Sequence, residues 1–297
     1  MKVREHIRLL VPGDEQALEA YLRTRLESSM FLLGNLRATG LVDGENAYQG
    51  AYAACWQANQ VVGVIAHYWN GNLVLQAGQQ IPTLCRAAVR GSGRPIYGVV
   101  GPAAQVEIAA RYLIPPADLI QTDETEILYS LNLSDLVIPE GLASGWLRGR
   151  RSEPRDESLL VDWRIGYCVE AMGDERGPEL EARCRRSVVR STGEGRTWVA
   201  ERAGQVVACS SFNAILREAV QVGGVWTPPE GRRRGYGRAA VATSLVEARA
   251  QGVEKAILFT GESNLAAQKA YQSLGFRPTG DYRLLLFNRA VESPNGG

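Results

Sequence analysis

The pattern of hydrophobic and polar residues runs through this 297-residue chain in two successive rounds of the same predicted elements. Each round consists of a strand, two helices, three strands, and then a helix, a strand, a helix and a final strand. The first round ends with a strand predicted over Glu126–Leu133, and the second begins with one predicted over Gly145–Arg150. The pattern therefore predicts an internal repeat of architecture, connected by residues 134–144.

Within the rounds, the periodicity assigns individual elements. The first strand of the chain is predicted over Val3–Leu10 and the last over Asp281–Phe287, because both are apolar runs bounded by polar residues. Leu160, Trp163 and Tyr167 recur at helical spacing and predict the first helix of the second round. Helices and strands that are mixed over the whole length indicate an α/β (α+β) fold class.

Composition and charge narrow the class of protein. The formal net charge is +1, so general binding to nucleic acids or to membrane surfaces is not expected. No run of about 18 apolar residues occurs, and the first residues lack the apolar core of a signal peptide, which favours a cytoplasmic protein without a membrane span. The five cysteines and two histidines show no ligand spacing, so we expect reduced, packed thiols and no metal site.

The most informative stretch connects an apolar strand, Ala219–Thr227, to a predicted helix over Arg238–Ala250. Its residues are Arg232, Arg233, Arg234, Gly235, Tyr236, Gly237 and Arg238. The two glycines can adopt positive φ angles, and the first turn of a helix presents unpaired N–H groups and partial positive charge. Guanidinium groups pair well with phosphate oxygens. The stretch therefore predicts a cradle for a pyrophosphate group, and it matches neither the NTP-binding P-loop nor the dinucleotide fingerprint.

A second pattern follows about 30 residues after the glycine turn. Asn264, Ala267, Tyr271 and Leu274 are spaced three, four and three residues apart, so they lie on one face of a predicted helix. By itself this pattern is typical of a packed amphipathic helix that begins at an Asn N-cap and stops at Gly275.

Together the two patterns resemble a known family. Arg232-x-x-Gly235-x-Gly237 is similar to the acetyl-CoA signature of the GNAT acetyltransferase superfamily, and the helix with Asn264 and Tyr271 is similar to its second signature. The element order of each round also resembles the GNAT fold. The resemblance implies two tandem GNAT-like domains, each a mixed, mainly antiparallel sheet flanked by helices.

The two signatures occur in the second round only. The resemblance therefore implies a degenerate GNAT-like domain without a cofactor motif over residues 1–134 and an acetyl-CoA-binding catalytic domain over residues 144–297. In the first round the corresponding stretch, Gly78–Pro82, has no arginine and a single glycine, and we expect it to bind no acetyl-CoA. The role of the first domain is open between a structural partner and a wall of the acceptor pocket.

The resemblance also implies roles for individual residues. The turn at residues 232–238 would hold the diphosphate of acetyl-CoA, and Asn264 would contact its arm. The pantetheine would lie along the end of the strand before the turn, at Val225, Trp226 and Thr227. A free backbone N–H there would polarise the thioester carbonyl, and Tyr271 would protonate the departing thiolate.

The general base is the point at which the sequence departs from the family. Many members carry a Glu on the strand before the turn, at the position that Gln221 occupies here. An amide cannot accept the proton, so the sequence predicts a water relay or a base from elsewhere, with Glu170 and Glu218 as candidates. It also favours an acceptor of low pKa, such as an α-amino group with a pKa of about 8 rather than a lysine at about 10.4.

The leading hypothesis is an N-acetyltransferase that transfers the acetyl group of acetyl-CoA to an amine by direct attack in a ternary complex. The alternative is a non-catalytic acyl-CoA-binding module, which only Gln221 supports. Nucleic-acid binding by the run Arg232–Arg234 is disfavoured, because no aromatic residues are interleaved with these arginines. The acceptor is expected to be a small-molecule or peptide amine, and the sequence leaves its identity, the acyl chain length and the oligomeric state open.

Overall fold

The structure, a computed structural model, describes residues 5–291. In chain order its first part contains β1 (His6–Leu9), α1 (Glu15–Arg23), α2 (Leu26–Thr39), β2 (Gly50–Gln57), β3 (Gln60–Tyr68), β4 (Asn72–Ala77), α3 (Ile81–Ser92), β5 (Ile96–Pro102), α4 (Ala103–Leu113) and β6 (Ile120–Asn132). Its second part contains α5 (Glu140–Ala143), β7 (Arg148–Arg151), α6 (Glu157–Met172), α7 (Pro178–Gly193), β8 (Thr197–Arg202), β9 (Gln205–Ile215), β10 (Ala219–Trp226), α8 (Tyr236–Ala250), β11 (Lys255–Gly261), α9 (Leu265–Gln272) and β12 (Arg277–Val291).

The predicted order of strands and helices is the observed order, apart from the short helix α5 in the predicted connection. The differences lie at the ends of elements. β6 begins at Ile120 rather than at Glu126, because the polar stretch Gln121–Thr125 hides the alternation that marks a strand. β12 extends to Val291, beyond its predicted end at Phe287. Residues 3–4 of the first predicted strand lie outside the described part of the chain.

The described chain divides into two compact units. Unit 1 runs from residue 5 to Leu128 and also includes Phe259–Ser263 and residues 279–291. Its strands are ordered β1-β2-β3-β4-β5-β12. All neighbours are antiparallel except β4 and β5, which are parallel. Helices α3 and α4 cover one face with a core that includes Leu84 and Val106.

Unit 2 contains Tyr129–Leu258 and Asn264–Pro278. Its strands are ordered β11-β10-β9-β8-β7, again with antiparallel neighbours and a single parallel pair, β10 with β11. The strands β7 to β11 therefore repeat the pairing pattern of β1 to β5. This is the mixed, mainly antiparallel architecture with flanking helices that the sequence predicts.

The last strand of the chain completes the sheet of unit 1. β12 pairs antiparallel with β5, with Tyr282 opposite Pro102 and Leu286 opposite Gly98. In chain order, β12 therefore returns to unit 1 after the last helix of unit 2, α9. The sequence division at residues 134–144 remains a prediction about where the two repeats separate along the chain.

The two faces of the unit 2 sheet carry different helices. Val199 on β8 and Cys209 on β9 pack with α6 and α7, whereas Ala200 packs with α8. Small residues on both sides, such as Ala239 on α8, let this helix lie close to the strands. The packing fixes the position of the first turn of α8, where the glycine motif lies.

A buried ion-pair network holds the start of α6 against the sheet of unit 2. The Arg150 guanidinium donates to both carboxylate oxygens of Asp156, at 2.6 and 3.0 Å, and to Glu201 at 2.8 Å. The backbone N–H of Glu153 donates to the same Asp156 carboxylate at 2.8 Å. Burial alone would raise the pKa of Asp156, but the hydrogen bonds from Arg150 and Glu153 outweigh it, so the pKa lies below its ordinary value.

We expect Asp156→Asn to lower the free energy of unfolding at pH 6 by roughly 3 kcal/mol, because it leaves a buried guanidinium without one of its two carboxylates. A depressed pKa contributes stability that is complete above the unfolded value and is lost as pH falls through the folded value. The difference between wild type and variant should therefore shrink as pH falls from 5 towards 3. Urea unfolding at these pH values measures it. Asp174→Asn, which removes the partner of the exposed Arg183, should cost less than about 1 kcal/mol. An equal cost for both variants would contradict the prediction.

Candidate active site

The end of β10 leaves the regular ladder on both sides. Its parallel pairs with β11 run from Ala219–Lys255 to Gln221–Ile257, and β10 continues beyond them to Trp226. On its other side the register with β9 shifts between Gly223 and Trp226, and Gly224 has a φ of +58°. A bulge of this kind takes backbone groups out of the ladder. The interruption lies at Gly224 and Val225, and pairing with β9 resumes where Trp226 lies opposite Cys209.

The glycine turn follows this strand end directly. Pro229–Gly231 forms a short 3-10 turn, and α8 then begins at Tyr236 with Gly235 as its N-cap, at a φ of +78°. That φ is open to glycine and costly for a branched residue. The first N–H groups of α8 have no partner within the helix, so they give the turn partial positive charge.

The second glycine of the motif is required for a close approach. A Cβ on Gly237 would lie 3.0 Å from the hydroxyl oxygen of Thr227 and 3.7 Å from a methyl of Val225. Glycine therefore lets the first turn of α8 lie against the end of β10. The structure brings these predicted residues together as the pattern implied.

Arg232 is anchored rather than free. Its two terminal nitrogens each lie 2.8 Å from a carboxylate oxygen of Glu170, and its Nε donates to the Thr227 carbonyl at 3.1 Å. The guanidinium carbon lies 5.0 Å from the ring centre of Trp226. Arg232, which is predicted to bind the diphosphate, and Glu170, which is a predicted base, thus form an ion pair with each other.

Trp226 fills the space between this guanidinium and α6. Its ring meets Tyr167 edge-on, with centroids 6.3 Å apart, and a Cβ on Gly166 would lie 3.2 Å from the Trp226 ring. Because Glu170 lies one turn further along α6, one face of this helix contacts both the strand end and the turn.

Arg202 is a part of the site that the sequence did not indicate. It lies at the end of β8, and its terminal nitrogen donates to the Tyr236 hydroxyl at 3.1 Å. Burial would raise the pKa of Tyr236, but hydrogen bonds from Arg202 and Arg234 lower it below its ordinary value. Arg202 also lies over the exposed ring of Trp146, at 5.0 Å. No local spacing relates Arg202 to Tyr236, since they are 34 residues apart.

The helix with the second motif is joined to the glycine turn by one hydrogen bond. A terminal nitrogen of Arg238 donates to the Ser273 hydroxyl at 3.1 Å. Asn264 is the N-cap of α9, and its side-chain oxygen accepts from the N–H of Ala267 at 3.1 Å, as predicted. Tyr271 is largely buried and packs edge-on against Phe276. The two motifs are therefore neighbours in unit 2.

The other candidate bases differ in position. Glu218 precedes β10, so about eight residues of extended chain, roughly 25 Å, separate it from Trp226. That distance does not fit a base acting at the strand end. Gln221 is buried on β10, and within residues 5–291 its side-chain oxygen has no hydrogen-bond partner.

Between residues 5 and 291, no group of three or more His, Cys, Asp or Glu side chains could hold a metal ion. No helix in that same range is long and apolar enough to cross a bilayer.

The part of the chain that contains this geometry is similar to a known protein family. Residues 159–276 match the model of the acetyltransferase (GNAT) family. The chain is 35% identical over 102 residues to N-acetyltransferase family 8 member 3 of Rattus norvegicus, covering 33% of this chain and 45% of that protein. It is 38% identical over 99 residues to N-acetyltransferase 8 of Homo sapiens, covering 32% and 44%. The chain thus spans less than half the length of the curated relatives it matches.

The fold comparison covers a larger part of the chain. A GCN5-related N-acetyltransferase from Sphaerobacter thermophilus aligns with 97% of this chain and 96% of its own, with a TM-score of 0.57 and 14% identity. The chain therefore has a GNAT fold, and its residues 159–276 are similar to the GNAT acetyltransferase family. This confirms the family predicted from the two signatures and their place in the C-terminal half.

Proposed function

We propose that this chain is an acetyl-CoA-dependent N-acetyltransferase with its cofactor site in unit 2. The observation that carries the proposal is the junction of the glycine turn and α9, made by Arg238 and Ser273 within the stretch that matches the family. Unit 1 is proposed to bind no acetyl-CoA, because its corresponding turn, residues 78–80, offers a glycine and two glutamines in place of arginines.

The residues at the turn fit a diphosphate. Arg233 and Arg234 are exposed beside the N-terminus of α8, where helix N–H groups favour an anion. The Nε of Arg238 is buried and has no partner within residues 5–291, so a phosphate oxygen would satisfy a donor that is otherwise unpaired. Arg232 would turn from Glu170 to the diphosphate, and Asn264 would contact the arm from the start of α9.

The end of β10 is proposed to hold the thioester. Backbone N–H groups at Val225, Trp226 or Thr227 would donate to the carbonyl oxygen as negative charge develops on it, which is typically worth about 3 kcal/mol of the barrier. This proposal is supported by the bulge at Gly224, because the ladder with β9 is interrupted between Gly223 and Trp226.

Tyr271 is proposed as the acid. The amine nitrogen attacks the thioester carbon, the C–S bond breaks, and the thiolate takes the phenolic proton of Tyr271. The proton that the new amide nitrogen loses then passes through solvent to the tyrosinate, so the proton balance closes. A thiol has an ordinary pKa of about 8.5 and a phenol of about 10, and a dry site makes the thiolate more basic and eases the transfer.

The acceptor amine must be neutral when it attacks. The unpartnered side-chain oxygen of Gln221 can accept a hydrogen bond from the amine or from a relay water, although it cannot take the proton. Glu170 is the proposed base. A diphosphate that engages Arg232 would release the Glu170 carboxylate from its ion pair, and catalysis would then require acetyl-CoA to bind first.

If Glu170 is the base, Glu170→Gln should lower kcat by about 100-fold, because general-base catalysis typically contributes that much or more. Steady-state rates at saturating acetyl-CoA measure the effect. Glu230→Gln, which changes an exposed carboxylate close to the turn, serves as the matched control. An effect confined to the KM for acetyl-CoA would instead assign Glu170 to holding Arg232.

The function itself is tested by release of free CoA thiol from acetyl-CoA in the presence of a panel of amines. The panel includes amino acids, peptides with free N-termini, small aliphatic and aromatic amines, and amino sugars. We expect amine-dependent thiol release with at least one class. Acetyl-CoA binding without turnover of any amine would favour the alternative, a non-catalytic acyl-CoA-binding module.

A further inference from the structure

Unit 1 contains a buried group of tyrosines, and not all of their hydroxyls have a hydrogen-bond partner within residues 5–291. The hydroxyls of Tyr52 on β2 and Tyr68 on β3 are 2.9 Å apart and share a hydrogen bond. Tyr282 on β12 is 1% exposed, and its hydroxyl has no hydrogen-bond partner within residues 5–291. A buried hydroxyl that lacks a partner is costly, and it marks a place where a ligand or water can bind.

Two half-buried phenylalanines connect this hydroxyl to the surface. The rings of Phe259 and Tyr282 are 4.6 Å apart, and Phe31 on α2 stacks on Phe259 with centroids 6.3 Å apart and planes within 7°. All three rings belong to unit 1. Because Phe31 and Phe259 are half-buried, a partly exposed aromatic cluster lies beside the Tyr282 ring.

Glu126 on β6 supplies charge to the same place. Burial, together with the neighbouring Glu124, raises the pKa of Glu126 to about 7. β6 is the neighbour of β12 in the sheet order, and the Arg283–Asp123 ion pair and the hydrogen bond from the Thr279 hydroxyl to the Leu128 carbonyl hold the two strands side by side around Glu126 and Tyr282. Burial raises the pKa of Tyr282, and the charge of Glu126 raises it further, which agrees with this placement. No cation within residues 5–291 pairs with Glu126 or Glu124.

The other face of the same strand shows the contrast. Along β6, Asp123 points to the opposite face from Glu124 and Glu126. Its carboxylate forms an ion pair with Arg283, whose Nε lies 2.7 Å from Asp123 Oδ1. Arg283 also binds Glu107, at 2.6 Å. The negative charge of β6 is therefore neutralised on one face by the protein and left without a counter-ion on the face beside Tyr282.

We propose that Glu126, Tyr282, Phe259 and Phe31, here called the Glu126 cluster, form a binding site for an organic ammonium ion. The ammonium group would donate to the Glu126 carboxylate and to the Tyr282 hydroxyl oxygen, and the aromatic faces would attract its positive charge. An anion is excluded by the two carboxylates, and the cluster lacks the set of oxygen ligands that a metal ion needs. Identification of this amine with the acetyl acceptor rests on the proposed function; the binding of an amine does not.

Calorimetric titration of the full-length protein with benzylamine at pH 7 tests the site. An ammonium ion beside Glu126 lowers the pKa of the carboxyl, so binding should release up to about 0.5 proton per amine. Titrations in phosphate and in MOPS, a buffer without a primary amine, measure the release from the difference in heat. The other titratable groups facing Glu126 are Glu124 on its own strand and Tyr282 on β12, with Tyr68 behind it. The neutral analogue benzyl alcohol should bind at least tenfold more weakly and release no proton.

Variants assign the effect to residues. Glu126→Gln should bind benzylamine at least tenfold more weakly and release no proton, and Tyr282→Phe should bind it several-fold more weakly. Glu45→Gln, an exposed carboxylate in unit 1, should match wild type. Thermal unfolding of each variant shows that it is folded. The proposal is overturned if wild type binds no benzylamine, if Glu126→Gln binds it equally well, or if benzyl alcohol binds as tightly.

A separate measurement keeps the two proposals distinguishable. Affinity for CoA, measured without any amine, depends on the turn in unit 2 and should be the same in Glu126→Gln as in wild type. Loss of amine binding with intact CoA binding concerns the Glu126 cluster alone. Absence of CoA binding in wild type, with intact amine binding, would instead refute the proposed transferase.

Discussion

Gly235→Val is expected to lower the affinity for acetyl-CoA by at least about 100-fold, which corresponds to about 2.7 kcal/mol. Gly235 has a φ of +78° at the N-cap of α8, and a β-branched residue there is strained by roughly 1–3 kcal/mol. The turn would rearrange to relieve the strain, and the N–H groups of the first turn would no longer converge on the diphosphate. Equilibrium binding of acetyl-CoA to the purified variant measures the loss.

A matched control separates this effect from lost stability. Gly252 ends the same helix with a φ of +85°, and no atom lies within 4 Å of a Cβ placed there. Gly252→Val should therefore destabilise the fold by a similar amount yet bind acetyl-CoA within about twofold of wild type. Equal affinities for the two variants would refute the location of the diphosphate at the first turn of α8.

Tyr271→Phe is expected to lower kcat by about 100- to 1,000-fold while the KM for acetyl-CoA changes by less than about threefold. The phenol donates its proton only as the thiolate leaves, so its loss affects the transition state and not the bound substrate. The ring packs against Phe276, a contact that phenylalanine at position 271 retains. Steady-state kinetics from pH 6 to 10 measure the effect.

Tyr97→Phe provides the comparison for this experiment. Tyr97 is an exposed tyrosine on β5 of unit 1, so the loss of its hydroxyl should leave both constants unchanged. If kcat of Tyr271→Phe stayed at the wild-type value at every pH, the thiolate would have to be protonated by another donor.

The turn and the second helix could be predicted because their information is local. Gly235 and Gly237 are two residues apart at a strand-to-helix junction, and Asn264 caps a helix that carries Tyr271 on a fixed face. Such spacings reflect the backbone geometry of a few neighbouring residues. The predicted ends of β6 and β12 were less accurate, because polar residues interrupt the alternation of both strands.

Contacts between distant segments could not be predicted in this way. Arg232 and Glu170 are 62 residues apart, and each alone resembles an exposed charge on a turn or a helix. Arg202 likewise meets Tyr236 only because β8 and α8 pack together. In unit 1, Glu126 belongs to a polar stretch of strand, and its sequence gives no sign of an unpartnered tyrosine on β12.

The sequence by itself determined the repeated order of elements, the GNAT fold and the location of its signatures, because hydrophobic periodicity and glycine spacing are properties of short segments. Only the tertiary structure decided that Glu170 pairs with Arg232, that β12 returns to the sheet of unit 1, and that Glu126 lacks a counter-ion among residues 5–291. The physical reason is that burial and charge neutralisation depend on which distant segments become neighbours. That information lies in the packing of the sheets and helices and is not present in the spacing of residues along the chain.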